Sequence, residues 1–204
     1  TMAHNPAEAQ RLLDEAGWLD RDGDGVREDA SGAPLQVEIL FNQGNGVRKQ
    51  IAEIMQAQLA SVGVQVEPTM LEWGAMLGRI MDPTTREFDG VVMGWLPEFE
   101  MDESAFFHSE KIDEPLAWAG MQDDELDRLL EAIRDAPTPE DADPLWVAFQ
   151  NRIVELQPFT YLYYQERLDG VSDRMAEIPM DARGEWAQIQ EWRVSESPQT
   201  LARR

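Results

Sequence analysis

The 204-residue chain contains no cysteine, so disulfide bonds and thiolate metal sites are excluded. Basic residues are scarce: 17 lysines and arginines stand against 40 aspartates and glutamates, which gives a formal net charge of −23. Nucleic acid and anionic membrane surfaces are therefore poor partners, because both are recognised by basic patches. No apolar run approaches the roughly 20 residues of a membrane-spanning helix, so we expect no direct membrane insertion by this chain. The acidic residues are dispersed over the whole length, which is typical of a solvated surface.

Residues for catalysis are also few. The two histidines, His4 and His108, are far apart and lack the spacing of a metal site. Ser104 and His108 could share a helix face, but no nucleophile elbow or third partner accompanies them. The sequence therefore predicts no catalytic residue, no cofactor and no enzymatic activity.

The hydrophobic pattern predicts an α/β fold. Apolar and polar residues alternate at 35–41 and 62–66, as in strands, and one apolar face at 51–59 indicates a helix between them. This crossover is long enough for the two strands to pair in parallel. Further elements are expected along the chain: a capped helix from Asn5 to Gly17, a short helix at 72–80, a buried strand at 88–95, helices around 126–133 and 143–156 with Pro144 in the first turn of the latter, and an aromatic strand at 159–164.

The strand at 88–95 and the loop after it indicate a ligand-binding site. The loop begins at Trp95 and carries Phe99 among polar residues, with carboxylates at Glu98 and Asp102. Aromatic walls beside a carboxylate suit a primary amine, through charge pairing and cation–π contact. A ligand with a free amino terminus, such as a peptide, fits this pattern.

An acidic turn allows two interpretations. Asp20, Asp22 and Asp24 alternate as in the first half of an EF-hand loop, and Gly25 occupies its sixth position. The twelfth position, which should carry a bidentate glutamate, is Ser31, and the following segment reads as a strand. We favour an acid-rich turn, with calcium bound by the three aspartates as the open alternative.

Several segments, taken in order, resemble the family 5 extracellular solute-binding proteins, which are the peptide-binding components of ABC importers. The resemblance spans about 5–192 and lies in the ordered set rather than in any one motif. Its segments are NPAEAQRLLDEAGW at 5–18, DGDGVRE at 22–28, FDG to GW within 88–95, FFHS at 106–109, DELDRLL at 124–130 and QPFTYLYY at 157–164.

The resemblance implies a periplasmic-binding-protein-like lobe, with a mixed, mostly parallel sheet and helices on both faces. It implies that 1–170 form the C-terminal ligand-binding lobe and that 171–204 return toward an absent N-terminal lobe, so we expect a fragment of a longer protein without its signal segment. In peptide-binding relatives an aspartate shortly after the strand-end tryptophan pairs with the ligand's α-amino group. Glu98 and Asp102 are the rival candidates for that role here.

The implied function is capture of a small solute, with peptides favoured, by hinge closure and delivery to ABC permease subunits in the membrane. The implied location is periplasmic or extracellular, at a membrane anchor. Two alternatives remain open at this point: a sensory ligand-binding lobe of a transcriptional or signalling regulator, and a stand-alone calcium-stabilised or hydrolytic protein.

Overall fold

The computed structural model describes residues 4–84, 86–94, 102–164, 168–180, 186 and 188–194. The chain divides into two compact units, one formed by 1–95 with 102–158 and the other by 96–101 with 159–204. The boundary expected between residues 170 and 171 stays a prediction.

The first unit contains a parallel three-stranded sheet surrounded by helices. Its strands are β1 (Gln36–Asn42), β2 (Gln65–Leu71) and β3 (Gly90–Val91), and its helices are α1 (Pro6–Glu15), α2 (Gly46–Ala60), α3 (Trp73–Met81), α4 (Ser104–Phe107), α5 (Asp124–Arg134) and α6 (Pro139–Leu156). The strand order is β2-β1-β3, and β1 pairs in parallel with both neighbours. The predicted strand–helix–strand unit with parallel pairing is confirmed, and so is the α/β class.

Strand β1 is the centre of the core. Its residues Ile39 and Phe41 pack in one apolar cluster with Ala52 of α2, against which α1 also packs. Leu40 is completely buried and points to the opposite face, because side chains alternate along a strand. Helix α3 covers that second face, where its Arg79 pairs with Glu38 of β1 at 2.6 Å. Helices therefore cover both faces, as expected.

Three predicted elements differ from the structure. Helix α6 begins at Pro139 because the Thr138 side chain accepts a hydrogen bond from the backbone N–H of Asp141, so Pro144 lies inside the helix and not in its first turn. Of the described part of the predicted 88–95 strand, residues 88–94, only Gly90–Val91 join the ladder as β3, although the N–H of Val92 still donates to the carbonyl of Leu40 at 2.8 Å.

The predicted aromatic strand is wrong for the residues described, 159–164, which form no strand. Among the described residues no strand pairs with this segment, and Tyr164 is 99% exposed. The second unit instead has an antiparallel pair, β4 (Met175–Glu177) and β5 (Arg193–Val194). Within it, the rings of Trp186 and Trp192 stack with centroids 5.3 Å apart.

Arg27 joins three parts of the first unit. Its Nε donates to the carbonyl of Val62 at 2.7 Å, and its Nη1 donates to the carbonyl of Trp18 at 2.7 Å and pairs with Asp14. The side chain is only 11% exposed, and it passes so close to Gly63 that a Cβ there would lie 2.7 Å from its Cγ. The acidic turn is thereby fastened to the turn that precedes β2.

We expect Arg27→Met to lower the free energy of unfolding by about 2 to 4 kcal/mol, because two partly buried carbonyls lose a charged donor. Urea denaturation measures the change. The matched control is Arg11→Met, which removes an exposed arginine that pairs only within α1 and should cost less than about 1 kcal/mol. Equal losses in the two variants would contradict the structural role of Arg27.

Candidate functional site

The carboxyl ends of three parallel strands meet at one edge of the sheet. Strand β1 ends at Asn42, β2 ends at Leu71, and β3 ends at Val91. The first two ends are held together because the N–H of Gln43 donates to the carbonyl of Leu71 at 2.7 Å. Open α/β sheets bind ligands outside this edge, so it is the candidate site.

Arg48 lies at the centre of this edge. Its Nη1 donates to Oδ1 of Asn42 at 2.8 Å and lies 3.4 Å from Sδ of Met93. The guanidinium carbon is 5.7 Å from the centroid of the Trp73 ring, within the range of a cation–π contact. The group thus contacts residues at or just beyond the ends of all three strands. We name Asn42, Arg48, Trp73 and Met93 the edge cluster.

Helix caps position Arg48 and Trp73, the two largest members of the edge cluster. Asn45 caps α2, and its side chain accepts a hydrogen bond from the N–H of Arg48 at 3.0 Å. Glu72 caps α3 in the same way through the N–H of Ala75 at 3.1 Å, which makes Trp73 the first helical residue. The N–H groups of Gly74, Ala75 and Trp73, in that order, lower the pKa of Glu72, so its cap is anionic at neutral pH.

Of the site residues predicted from the sequence, Trp95, Glu98 and Phe99 lie outside the described residues. Asp102 is described and exposed, and its Oδ1 accepts a hydrogen bond from the N–H of Ser104 at 2.9 Å, just before α4. The side chain and then the backbone of Ser104 lower the pKa of Asp102, with smaller electrostatic contributions from Arg134 and His108. The Asp102 carboxylate is therefore anionic at neutral pH, and its pairing with a ligand amine stays a prediction.

The edge cluster contains residues that sequence patterns did not select. Trp73 is 43% exposed, although tryptophan is highly buried on average in folded proteins. Arg48 follows the Gly44-Asn45-Gly46 turn, which reads as an ordinary loop. A usable signal was the position of both residues just after predicted strands, where parallel sheets place binding residues.

The acidic turn gathers four carboxylates. Asp20, Asp22 and Asp24 are joined by Glu28, which was not predicted, and one carboxylate oxygen from each lies within 4.8 Å of the others. Backbone N–H groups already hold these carboxylates; Gly23 donates to Asp20 at 2.7 Å, for example, and Arg21 donates to Glu28 at 2.9 Å. Such a cluster has the oxygen ligands that calcium prefers, but the turn has its own hydrogen bonds without a cation.

Comparison with known proteins identifies the family. The model of the bacterial extracellular solute-binding proteins, family 5 (middle region), matches residues 1–111. The chain belongs to this family. The predicted resemblance is confirmed, and the periplasmic-binding-protein-like fold is confirmed with it.

Individual relatives agree with this assignment. The chain is 30% identical over 189 residues to the oligopeptide-binding protein AppA of Bacillus subtilis, with 93% of this chain and 34% of AppA covered. The solved structure of AppA in complex with a nonapeptide is similar with a TM-score of 0.80 and 28% identity, over 95% of this chain and 38% of that one. A shorter match, 36% identical over 63 residues, covers 31% of this chain and 12% of the nickel-binding periplasmic protein of Escherichia coli.

The chain thus spans about a third of the length of AppA. The family is one of solute-binding proteins found outside the cytoplasm. Among the helices in the described ranges, none combines the length and apolar character needed to cross a membrane.

We expect calcium to leave the melting temperature of the chain unchanged relative to EDTA, because backbone donors already satisfy the acidic turn. Thermal unfolding in the two buffers measures this. A cation that binds only the folded state would raise the melting temperature. A calcium-dependent rise that disappears in Asp22→Asn would contradict the acid-rich turn and assign a cation site to it.

Proposed function

We propose that this chain is the C-terminal ligand-binding lobe of an extracellular or periplasmic solute-binding protein that serves an ABC importer. The observation that carries the proposal is the edge cluster, which places an arginine and an exposed tryptophan at the carboxyl ends of three parallel strands in a member of this family. The lobe binds and does not catalyse. Residues 171–204 are the tail that returns toward the N-terminal lobe.

Capture occurs by closure of this lobe against a second lobe. Two lobes joined by a hinge bury a ligand between them, and closure is favoured because the ligand contacts both lobes only in the closed state. The permease subunits in the membrane recognise the closed form and receive the solute. A membrane anchor outside this chain keeps the protein near them.

Peptides are the favoured solute. The AppA structure holds a nonapeptide, and the similarity to AppA covers 95% of this chain. Glu98 or Asp102 pairs with the amino terminus of the peptide, and Trp95 and Phe99 provide apolar walls. The excess of acidic residues also favours a positively charged terminus.

The intact gene product should bind a random octapeptide library with micromolar or better affinity, and the 204-residue chain alone should bind at least about a hundredfold more weakly. The reason is that half of the closed-state contacts are missing from one lobe. Calorimetry measures both affinities. Binding by the 204-residue chain alone with the affinity of the intact gene product would contradict capture between two lobes.

If Asp102 is the amine anchor, Asp102→Asn should weaken peptide binding by the intact gene product at least about tenfold. Wild-type affinity should stay constant from about pH 7 to about pH 5, since the pKa of Asp102 is lowered and its charge is lost only as the pH falls below the usual aspartate range. Fluorescence titration across this range provides the measurement. Unchanged affinity in Asp102→Asn would remove Asp102 from the site and leave Glu98 as the candidate.

A further inference from the structure

We infer that Arg48 binds a carboxylate of the captured solute, so that the site selects ligands carrying an acidic group at this position. The inference rests on the proposed function and adds to it the chemistry at one end of the ligand. The inferred contact complements the proposed pairing of Glu98 or Asp102 with the ligand's amine.

The contacts of Arg48 with the described residues all involve neutral groups. In a chain with more than twice as many acidic as basic residues, carboxylates pair with many of the described basic side chains, including Arg11, Arg79 and Arg152. Arg48 instead contacts an amide oxygen, a thioether sulfur and an indole ring. Within the described residues no carboxylate forms an ion pair with it, so none of their charges compensates that of Arg48.

Two donor groups of the Arg48 guanidinium remain available for a ligand. Both hydrogen-bonded contacts, to Asn42 and to Met93, use Nη1. The Nε and Nη2 groups have no acceptor among the described residues. These two groups form the side of the guanidinium fork that matches the two oxygens of a carboxylate.

The guanidinium group of Arg48 is held in place before a ligand binds. Asn42 fixes one end of the fork, and the Trp73 ring lies against the guanidinium with the carbon–centroid distance of 5.7 Å. The side chain is half-buried, which weakens the screening of its charge by water. A fixed arginine loses less conformational entropy on binding than a free one, so each new hydrogen bond contributes more to affinity.

The electrostatic field of the whole chain also affects where a ligand carboxylate can bind. A net charge of −23 repels an anionic group, so a ligand carboxylate can be accepted only where a local positive charge outweighs that repulsion. Arg48 is such a charge, and it lies at the sheet edge where the family fold presents ligands.

The carboxylate can come from two sources in a peptide, the carboxyl terminus or the side chain of an aspartate or glutamate. Calorimetry with the intact gene product distinguishes the two sources, using four random octapeptide libraries. One has free carboxyl termini and all side chains, the second is amidated at the carboxyl terminus, and the third lacks aspartate and glutamate. A fourth library lacks both kinds of carboxylate.

Three variants complete the design. Arg48→Gln removes the charge, and Arg48→Lys keeps the charge without the fork. Lys49→Gln is the matched control, because it removes the same charge from the neighbouring residue, which pairs only with Glu53 at 3.5 Å on the exposed face of α2. Melting temperatures of all variants confirm that each is folded before binding is measured.

We expect the wild-type protein to bind the carboxylate-free library at least about tenfold more weakly than the complete one. Arg48→Gln should abolish that difference, Arg48→Lys should restore part of it, and Lys49→Gln should leave it unchanged. The amidated and acid-free libraries then identify the source.

Tight binding of all four libraries with no effect of Arg48→Gln would overturn the inference while the proposed function stands. Absence of binding to every library would overturn the peptide function and the inference together. A loss in Arg48→Gln that is equal for all libraries would assign Arg48 to a general structural role and would also overturn the inference.

Discussion

The pairing of β1 with a parallel strand on each side is the constraint on which the rest of the first unit depends. Because β1 is central, both of its faces must be covered, and its three consecutive residues Ile39, Leu40 and Phe41 are all buried. The two crossover helices α2 and α3 then begin at the same edge of the sheet. That edge receives Arg48 from the start of α2 and Trp73 from the start of α3, so the position of the candidate site follows from the topology.

Charged side chains also connect separate segments of the first unit. Most of the acidic excess lies on the surface, but several arginines hold segments together through carboxylates or carbonyls. Arg79 connects α3 to Glu38 and to the carbonyl of Glu87, and Asp89 accepts a hydrogen bond from the N–H of Glu38 at 2.8 Å. These contacts align the segment that leads into β3, although only two of its residues join the ladder. Arg48 differs because, in the described part of the chain, only Nη1 of its guanidinium group has hydrogen-bonding contacts.

The sequence predicted the elements whose signals are local. The cap at Asn5 and the apolar faces of the helices identified the α/β order, and the family resemblance was confirmed. Elements that depend on a distant partner were harder to predict. The segment 159–164 has a strand-like composition but forms no strand. The start of α6 was predicted from Pro144, but the helix begins after the cap at Thr138, five residues before the predicted start. Arg48 and Trp73 each follow a predicted strand, but their contact with one another arises only in the fold.

The most direct test of the account is a crystal structure of the intact gene product with a bound peptide. The account predicts that the ligand lies between two lobes and contacts this chain at the carboxyl ends of β1, β2 and β3, with a carboxylate of the ligand within hydrogen-bonding distance of Arg48. A ligand bound at the opposite edge of the sheet, or remote from the edge cluster, would contradict it.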